Sequence, residues 1–158
     1  MITESIIITD YTPQYKQAFK DLNEEWISKY FVMEEADYKA LDNPESYILD
    51  KGGYIVMVLY NNEPVGTCAL IKMDDDKYDF ELAKMAVSPN IQGKGIGKKL
   101  MQAVIEKAKS KGANWLYLES NTILTSAITL YEKSGFVRVK RASTPYERCN
   151  IQMELELK

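Results

Sequence analysis

Histidine is absent from this chain of 158 residues. Without an imidazole there can be no Ser-His-Asp triad, no Cys-His nucleophilic pair, no histidine base and no histidine-containing zinc site. Any proton transfer must therefore use Glu, Asp, Tyr, Lys, Cys, water or the backbone, and we expect no bound metal.

Cysteine is scarce and long apolar runs are missing. Cys68 and Cys149 lie far apart in the sequence, which gives no disulfide framework and favours reduced thiols packed as small apolar side chains. No segment approaches the roughly eighteen apolar residues of a membrane helix, and the N-terminus has no basic leader. We therefore expect a cytoplasmic protein with no membrane partner.

The chain also lacks an excess of positive charge. Its 20 Lys and Arg residues against 23 Asp and Glu residues give a formal net charge of −3, so overall charge favours no nucleic acid partner. Hydrophobic residues make up 46% of the chain, which is enough to build a real core. The length suits one average domain, so we predict a single domain over residues 1–158.

Charge is distributed unevenly along the chain. Residues 91–111 carry six Lys and one Glu, whereas residues 1–50 carry four Lys and eleven acids. One end of the fold would therefore suit an anion and the other a cation, although solvated helix faces would produce the same pattern.

The spacing of apolar residues predicts the order β-α-α-β-β-β-α-β-α-β-β. This order indicates an α/β (α+β) fold, with a mixed, mainly antiparallel sheet of about seven strands and about four flanking helices. The predicted strands are Ser5–Thr9, Tyr54–Tyr60, Val65–Met73, Tyr78–Ser88, Trp115–Glu119, Phe136–Arg141 and Arg148–Leu157. The predicted helices cover Pro13–Tyr30, Glu34–Leu41, Ile96–Lys111 and Ala127–Ser134.

A glycine-rich turn, Gln92–Gly97, lies between a predicted strand and a predicted helix. Such a turn presents backbone N–H groups and the positive end of a helix dipole to an anion, and glycine lets a phosphate approach closely. Lys94, Lys98 and Lys99 add charge nearby, so we expect a phosphate or pyrophosphate site. Neither the Rossmann nor the Walker A spacing fits. A glycine-rich helix entry without a ligand is the alternative.

Two segments together resemble the GNAT superfamily of acyl-CoA N-acyltransferases. Met85–Pro89 followed by Gln92–Gly97 and an amphipathic helix is similar to motif A of that family, which reads Gln/Arg-x-x-Gly-x-Gly/Ala and cradles the coenzyme A pyrophosphate. Leu130–Phe136 is similar to the family's Leu-Tyr-x-x-x-Gly-Phe segment, with Ala127 one turn earlier. The dense resemblance covers residues 78–140. It implies a small, bacterial-type single-domain N-acetyltransferase that uses acetyl-CoA.

The resemblance implies a set of coenzyme-binding residues. They are Met85, Ala86, Val87, Gln92, Gly93, Lys94, Gly95, Ile96, Gly97, Lys98 and Asn121. The first three are expected to offer backbone N–H groups to the acetyl carbonyl and to the pantetheine amides. Many members carry Asn where this chain has Leu124, and Asn121 is then the candidate for that polar contact.

The family resemblance further implies direct attack of the acceptor amine on the thioester within a ternary complex. Tyr131 is the expected general acid, and a core aromatic is the alternative role. Glu81 is the expected base, acting directly or through water, and Glu119 is the second choice. The alternative is that Glu81 is a strand glutamate that faces solvent and has no catalytic role. Strand alternation predicts that Glu81, Ala83, Met85 and Val87 share one face unless a bulge intervenes.

The first helices and the last strands are expected to wall the acceptor site. Glu24, Trp26 and Tyr30 suit a cationic amine, whereas Arg148 argues for a carboxylate on the acceptor; Trp26 is equally suited to the core. A non-catalytic acyl-CoA-binding or sensing module is the alternative function, and nucleic acid binding is poorly supported. A homodimer through the sheet edge or the last strands is compatible with such a fold.

Overall fold

The structure is a computed structural model, and it describes residues 4–91, 93–140 and 144–158. One mixed sheet in the order β1-β2-β3-β4-β5-β7-β6 runs through it. The strands are β1 Ile6–Asp10, β2 Tyr54–Tyr60, β3 Glu63–Lys72, β4 Phe80–Val87, β5 Trp115–Ser120, β6 Val137–Val139 and β7 Ile151–Glu156. The α-helices are α1 Lys16–Tyr30, α2 Glu35–Asp42, α3 Ile96–Ser110 and α4 Thr125–Lys133.

The predicted order of elements and the mainly antiparallel sheet are confirmed. All neighbouring strands are antiparallel except β4 and β5, which are parallel. Two short helical segments, Pro13–Tyr15 and Glu45–Leu49, add to the four α-helices in the described ranges. No helix among these residues is long and apolar enough to cross a membrane.

The last two strands are shorter than predicted. β6 ends at Val139 rather than Arg141, which lies outside the described residues, and β7 begins at Ile151 rather than Arg148. The reason for the late start of β7 is tertiary. The Arg148 side chain is ion-paired with Asp37 of α2, and the Cys149 N–H donates to the Tyr146 carbonyl, so residues 146–149 form a turn instead of continuing the ladder.

Helices cover both faces of the sheet because the strands bury apolar side chains on both sides. Buried α3 residues such as Leu100 and Val104 pack with Val58 and Leu70 on one face. On the other face, Phe19 of α1 and Leu41 of α2 pack with Met57 and Ala69. The sheet is therefore the middle layer of three.

A β-bulge interrupts β4. Lys84 and Met85 lie opposite the single residue Cys68 of β3, because the register shifts between Thr67 and Ala69. Lys84 has a φ of 52°, a left-handed conformation that costs a non-glycine residue about 1 kcal/mol or more.

Because this bulge intervenes, the four β4 residues that strand alternation would place on one face do not share it. Glu81 pairs with Ile71 and lies on the face covered by α1 and α2. Beyond the bulge, Met85 and Val87 pack against the core cluster on the opposite face, under α3. Glu81 and Met85 therefore belong to different faces, although both reach the cleft described below.

Candidate active site

A cleft of about 520 Å³ opens where β4 and β5 separate. The two parallel strands pair only at Phe80 with Leu116 and at Glu81 with Tyr117. From there onward they diverge, and the β4 stretch 82–87 lines the gap. Because the ladder to β5 has ended, the β4 edge can offer backbone N–H groups to a ligand that inserts between the strands.

The glycine turn lies beyond the end of β4. Gly93 and Gly95 have φ values of 73° and 68°, and an added Cβ at either would have no neighbour within 4 Å. Gly95 is the N-cap of α3, and the first turn of that helix carries no acidic residue. Its orphan N–H groups and dipole therefore face an open, anion-compatible space.

The other predicted residues of this turn differ in their surroundings. Lys94 is ion-paired with Glu4, whereas Lys98 is exposed to solvent. The Ile96 side chain is buried in the core, so only its backbone is available. Gln92 lies outside the described residues.

Tyr131 lies on α4 and forms part of the cleft wall. It is 8% exposed and packs edge-to-face against Phe136, with ring centroids 6.0 Å apart. No group among the described residues forms a hydrogen bond with its hydroxyl. Burial, together with the nearby Cys68, raises the pKa of this phenol above its ordinary value. Tyr131 therefore carries its proton at neutral pH and presents it to the cleft.

Two carboxylates, Glu81 and Glu119, also line the cleft. Glu119 accepts hydrogen bonds from the Tyr117 hydroxyl at 2.7 Å and from the Thr144 hydroxyl at 2.5 Å. Gln152 in turn donates to the Tyr117 oxygen at 2.8 Å. Glu119 is thus held by two hydroxyl groups.

Glu81 lies among three polar side chains. Burial raises the pKa values of Tyr117 and Tyr146, and the negative charge of Glu81 contributes to both shifts. Burial lowers the pKa of the Lys84 ammonium below its ordinary value, although the negative charges of Asp37 and Glu81 act to raise it. Glu81 is therefore close enough to Lys84 and to both phenols to interact with them electrostatically.

An ion cluster that the sequence pattern did not indicate lies behind the cleft wall. Lys84 donates to Asp37 Oδ1 at 2.7 Å and to the Tyr146 hydroxyl at 2.8 Å. Arg148 binds both carboxylate oxygens of Asp37, at 2.7 and 2.5 Å, and Glu34 at 3.2 Å. Burial opposes ionisation of Asp37, but the hydrogen bonds from Arg148 and Lys84 hold its pKa at about 2. A lone Asp at the start of a helix gives no sequence signal for such a cluster.

Three of the four predicted acceptor residues line the cleft. Trp26 and Tyr30 come from α1, and Arg148 comes from the segment that precedes β7. Glu24 is not in the cleft lining, where Glu25 takes its place. Trp26 is only partly buried, so it is not the core residue that the alternative interpretation required.

Residues near the start of α4 complete the wall. The Asn121 side chain donates to the Arg148 carbonyl at 2.7 Å and accepts from the Ile123 N–H at 2.9 Å, so it braces two loops.

Cys68 is buried as expected, but Cys149 is only partly buried and lines the cleft rather than filling the core.

Comparison with known proteins gives one family and one fold. A family model described as "Acetyltransferase (GNAT) family" matches residues 12–136. The chain is 36% identical over 104 residues to the Escherichia coli protein named "Uncharacterized N-acetyltransferase YjgM", covering 64% of this chain and 62% of that protein. It is 28% identical over 146 residues to N-alpha-acetyltransferase 30 of Schizosaccharomyces pombe, covering 86% and 87% of the two chains. The matched region thus spans less than two thirds of YjgM.

Solved structures share the whole architecture. A GNAT-family acetyltransferase from Staphylococcus aureus Mu50 superimposes with a TM-score of 0.86 at 27% identity, covering 98% of this chain and 100% of that chain. YncA from Salmonella typhimurium, solved with acetyl-CoA, superimposes with a TM-score of 0.77 at 18% identity, covering 98% and 95%. The second likeness is one of fold.

Proposed function

Because this chain belongs to the acetyltransferase (GNAT) family, we propose that it transfers an acetyl group from acetyl-CoA to an amine by direct attack in a ternary complex. The observation that carries the proposal is the gap between β4 and β5, which has the protonated Tyr131 on its wall and whose lining extends along the chain as far as Pro89. A thioester in this gap would have an acid and backbone donors beside it, and the glycine turn that is the proposed anion site follows β4 a few residues later in the chain.

The proposal is tested by thiol release from acetyl-CoA. Polyamines, aminoglycosides, amino acids and peptides with free N-terminal or lysine amines serve as acceptors; the likeness to proteins named N-alpha-acetyltransferase supports including the peptides. Release that depends on one acceptor class supports the enzyme. Coenzyme binding by folded protein with no release for any acceptor would instead favour an acyl-CoA-binding or sensing module.

The coenzyme pyrophosphate is assigned to the N-terminus of α3 in this proposal. Gly93, Gly95 and Gly97 let it approach the backbone, and Lys94 and Lys98 supply positive charge. Lys94 would exchange its ion pair with Glu4 for the phosphate. The pantetheine arm would then run along the N–H groups of residues 85–87.

Replacing Gly95 by alanine is expected to weaken coenzyme A binding about tenfold or more. The new Cβ would occupy the space through which the phosphate reaches the helix N–H groups, and a lost charge-assisted hydrogen bond is worth about 1.5–3 kcal/mol. Isothermal titration calorimetry with coenzyme A measures the effect.

Gly112→Ala is the matched control for that variant. Gly112 lies at the opposite end of α3, has a φ of 79° and also has no neighbour within 4 Å of an added Cβ. Both variants should lose about 1 kcal/mol of unfolding free energy to backbone strain, but only Gly95→Ala should lose coenzyme affinity. Equal affinities would place the phosphate elsewhere.

Tyr131 is the proposed general acid that protonates the leaving thiolate, and Glu81 or an ordered water is the proposed base. Glu119, which is held by two hydroxyl groups, is the second candidate for the base. Stabilisation of the carbonyl oxygen is assigned to the N–H groups of Met85 and Val87, because the N–H of Ala86 points to β3 in the same way as that of Ser88, which donates to the Val65 carbonyl. A Glu81→Gln variant that keeps full turnover at every pH would leave Glu119 or water as the base.

The acceptor is proposed to be an amine that enters between α1 and the segment before β7. Trp26 and Tyr30 offer aromatic faces, and Glu25 offers a charge that attracts a cation. Arg148 lines this entrance, but its guanidinium is already bound to Asp37 and Glu34.

A further inference from the structure

Asp37 is a fully buried carboxylate immediately behind the acceptor wall. Its side chain is 0% exposed and accepts four hydrogen bonds: one from the Glu34 backbone N–H at 2.9 Å, one from Lys84 and two from Arg148. The two side chains that donate to it, Lys84 and Arg148, are cationic, and both line the cleft. Asp37 therefore satisfies Lys84 and Arg148 from the side opposite the acceptor.

The contact of Asp37 with Arg148 and Lys84 has the geometry that a substrate carboxylate would require. A guanidinium recognises a carboxylate through two parallel N–H···O bonds, and an adjacent ammonium strengthens the pair. Asp37 already forms both bonds with Arg148 and shares Oδ1 with Lys84. An acceptor carboxylate would have to compete with a partner that belongs to the fold.

The charges around the cleft reinforce this exclusion. With the residues behind its wall included, carboxylates outnumber cations there. The carboxylates are Glu25, Glu34, Asp37, Glu81 and Glu119, and the cations are Lys29, Lys84 and Arg148. The lining itself carries three charges of each sign, so Glu34 and Asp37 behind it make the local charge negative. An incoming carboxylate would meet that charge in a partly desolvated site, where like charges repel strongly.

We propose that Asp37 is a built-in carboxylate that makes the acceptor site discriminate against amines bearing a carboxylate group. This specificity role rests on the proposed acetyltransferase function. Removing Asp37 releases Lys84 and Arg148 as a cationic pair on the cleft wall, and carboxylate-bearing acceptors then become better substrates relative to their uncharged counterparts.

Tyramine and tyrosine test the proposal as a matched pair, since they differ only in the carboxylate and suit the aromatic wall. The wild-type kcat/KM should favour tyramine, and Asp37→Asn should lower the ratio of tyramine to tyrosine about tenfold, the value of one charge-assisted contact. A purely structural loss would lower both rates and leave their ratio unchanged. An unchanged ratio overturns the proposal.

Two further variants accompany this measurement. Asp42→Asn is the control, because Asp42 lies on the same helix but pairs with Lys20 on the outside, 2.7 Å away; its ratio should equal that of the wild type. Glu34→Gln removes the second carboxylate from Arg148 while keeping an oxygen acceptor for the Glu147 N–H. Glu34→Gln should also lower the ratio of tyramine to tyrosine kcat/KM, by a smaller factor than Asp37→Asn. If Asp37→Asn does not fold, an unchanged ratio in Glu34→Gln overturns the proposal.

Formate supplies a measurement that needs no catalysis. In Asp37→Ala, sodium formate should raise the midpoint of thermal unfolding relative to sodium chloride at equal ionic strength, because formate binds the vacated cations. The wild type and Asp42→Ala should show no such difference. If neither amine is acetylated by any variant, the proposed function fails for these acceptors, and the formate measurement decides the inference: a rise supports it, and no rise overturns it.

Discussion

Replacing Tyr131 by phenylalanine is expected to lower turnover by roughly ten- to a thousand-fold, a range that overlaps the usual contribution of a general acid, while coenzyme affinity stays near normal. The variant loses only the hydroxyl, so the edge-to-face contact with Phe136 and the packing of α4 persist. The thiolate would then leave without a proton donor. Single-turnover thiol release measures the chemical step, and calorimetry with coenzyme A measures binding.

Tyr11→Phe is the matched control for this substitution. Tyr11 is 8% exposed, as Tyr131 is, but its hydroxyl donates to Glu45 at 2.8 Å outside the cleft lining. This variant should keep wild-type turnover even if it loses a little stability. Wild-type turnover in Tyr131→Phe would show that the phenol is a core aromatic and not the acid.

Replacing Asp37 by asparagine is expected to lower the free energy of unfolding by about 3 kcal/mol, because it leaves the charges of Lys84 and Arg148 buried without their shared counter-ion. A typical domain has 5–15 kcal/mol of stability, so the variant should still fold. Urea unfolding at neutral pH measures the loss. The exposed pair of Asp42 and Lys20 provides the comparison, and Asp42→Asn should cost less than about 1 kcal/mol.

The difference in the free energy of unfolding between the wild type and Asp37→Asn should depend on pH in a defined direction. Hydrogen bonds from Arg148 and Lys84 lower the pKa of Asp37 from 3.8 to about 2, so the folded state releases this proton more readily than the unfolded state. The resulting stability, about 2 kcal/mol, is complete above pH 4 and disappears as pH falls toward 2. The difference in the free energy of unfolding between the wild type and Asp37→Asn should therefore become smaller below pH 4. A difference that stays constant with pH would contradict the ion cluster.

Most of the fold could be predicted from local patterns. The unbroken β-rich apolar run in Tyr54–Tyr60 and the helical spacing in α3 are properties of adjacent residues, and the structure places both elements where these patterns predict them. The turn at Gly95 is equally local, because a left-handed N-cap favours glycine whatever surrounds it. The segment around Tyr131 and its resemblance to the family predict a role for this residue, and the structure places it on the cleft wall.

The ion cluster behind the cleft wall was decided by tertiary structure. Asp37, Lys84 and Arg148 come from a helix, a bulge and an irregular segment, and each of them taken alone is typical of a solvated surface. The β4 bulge moved Met85 to the face opposite Glu81, because strand alternation holds only while the register is unbroken. The order of the elements and the glycine turn follow from steric preferences and hydrophobic periodicity within a few residues. Contacts between residues far apart in the sequence depend on register and packing, and the chain determines those only as a whole.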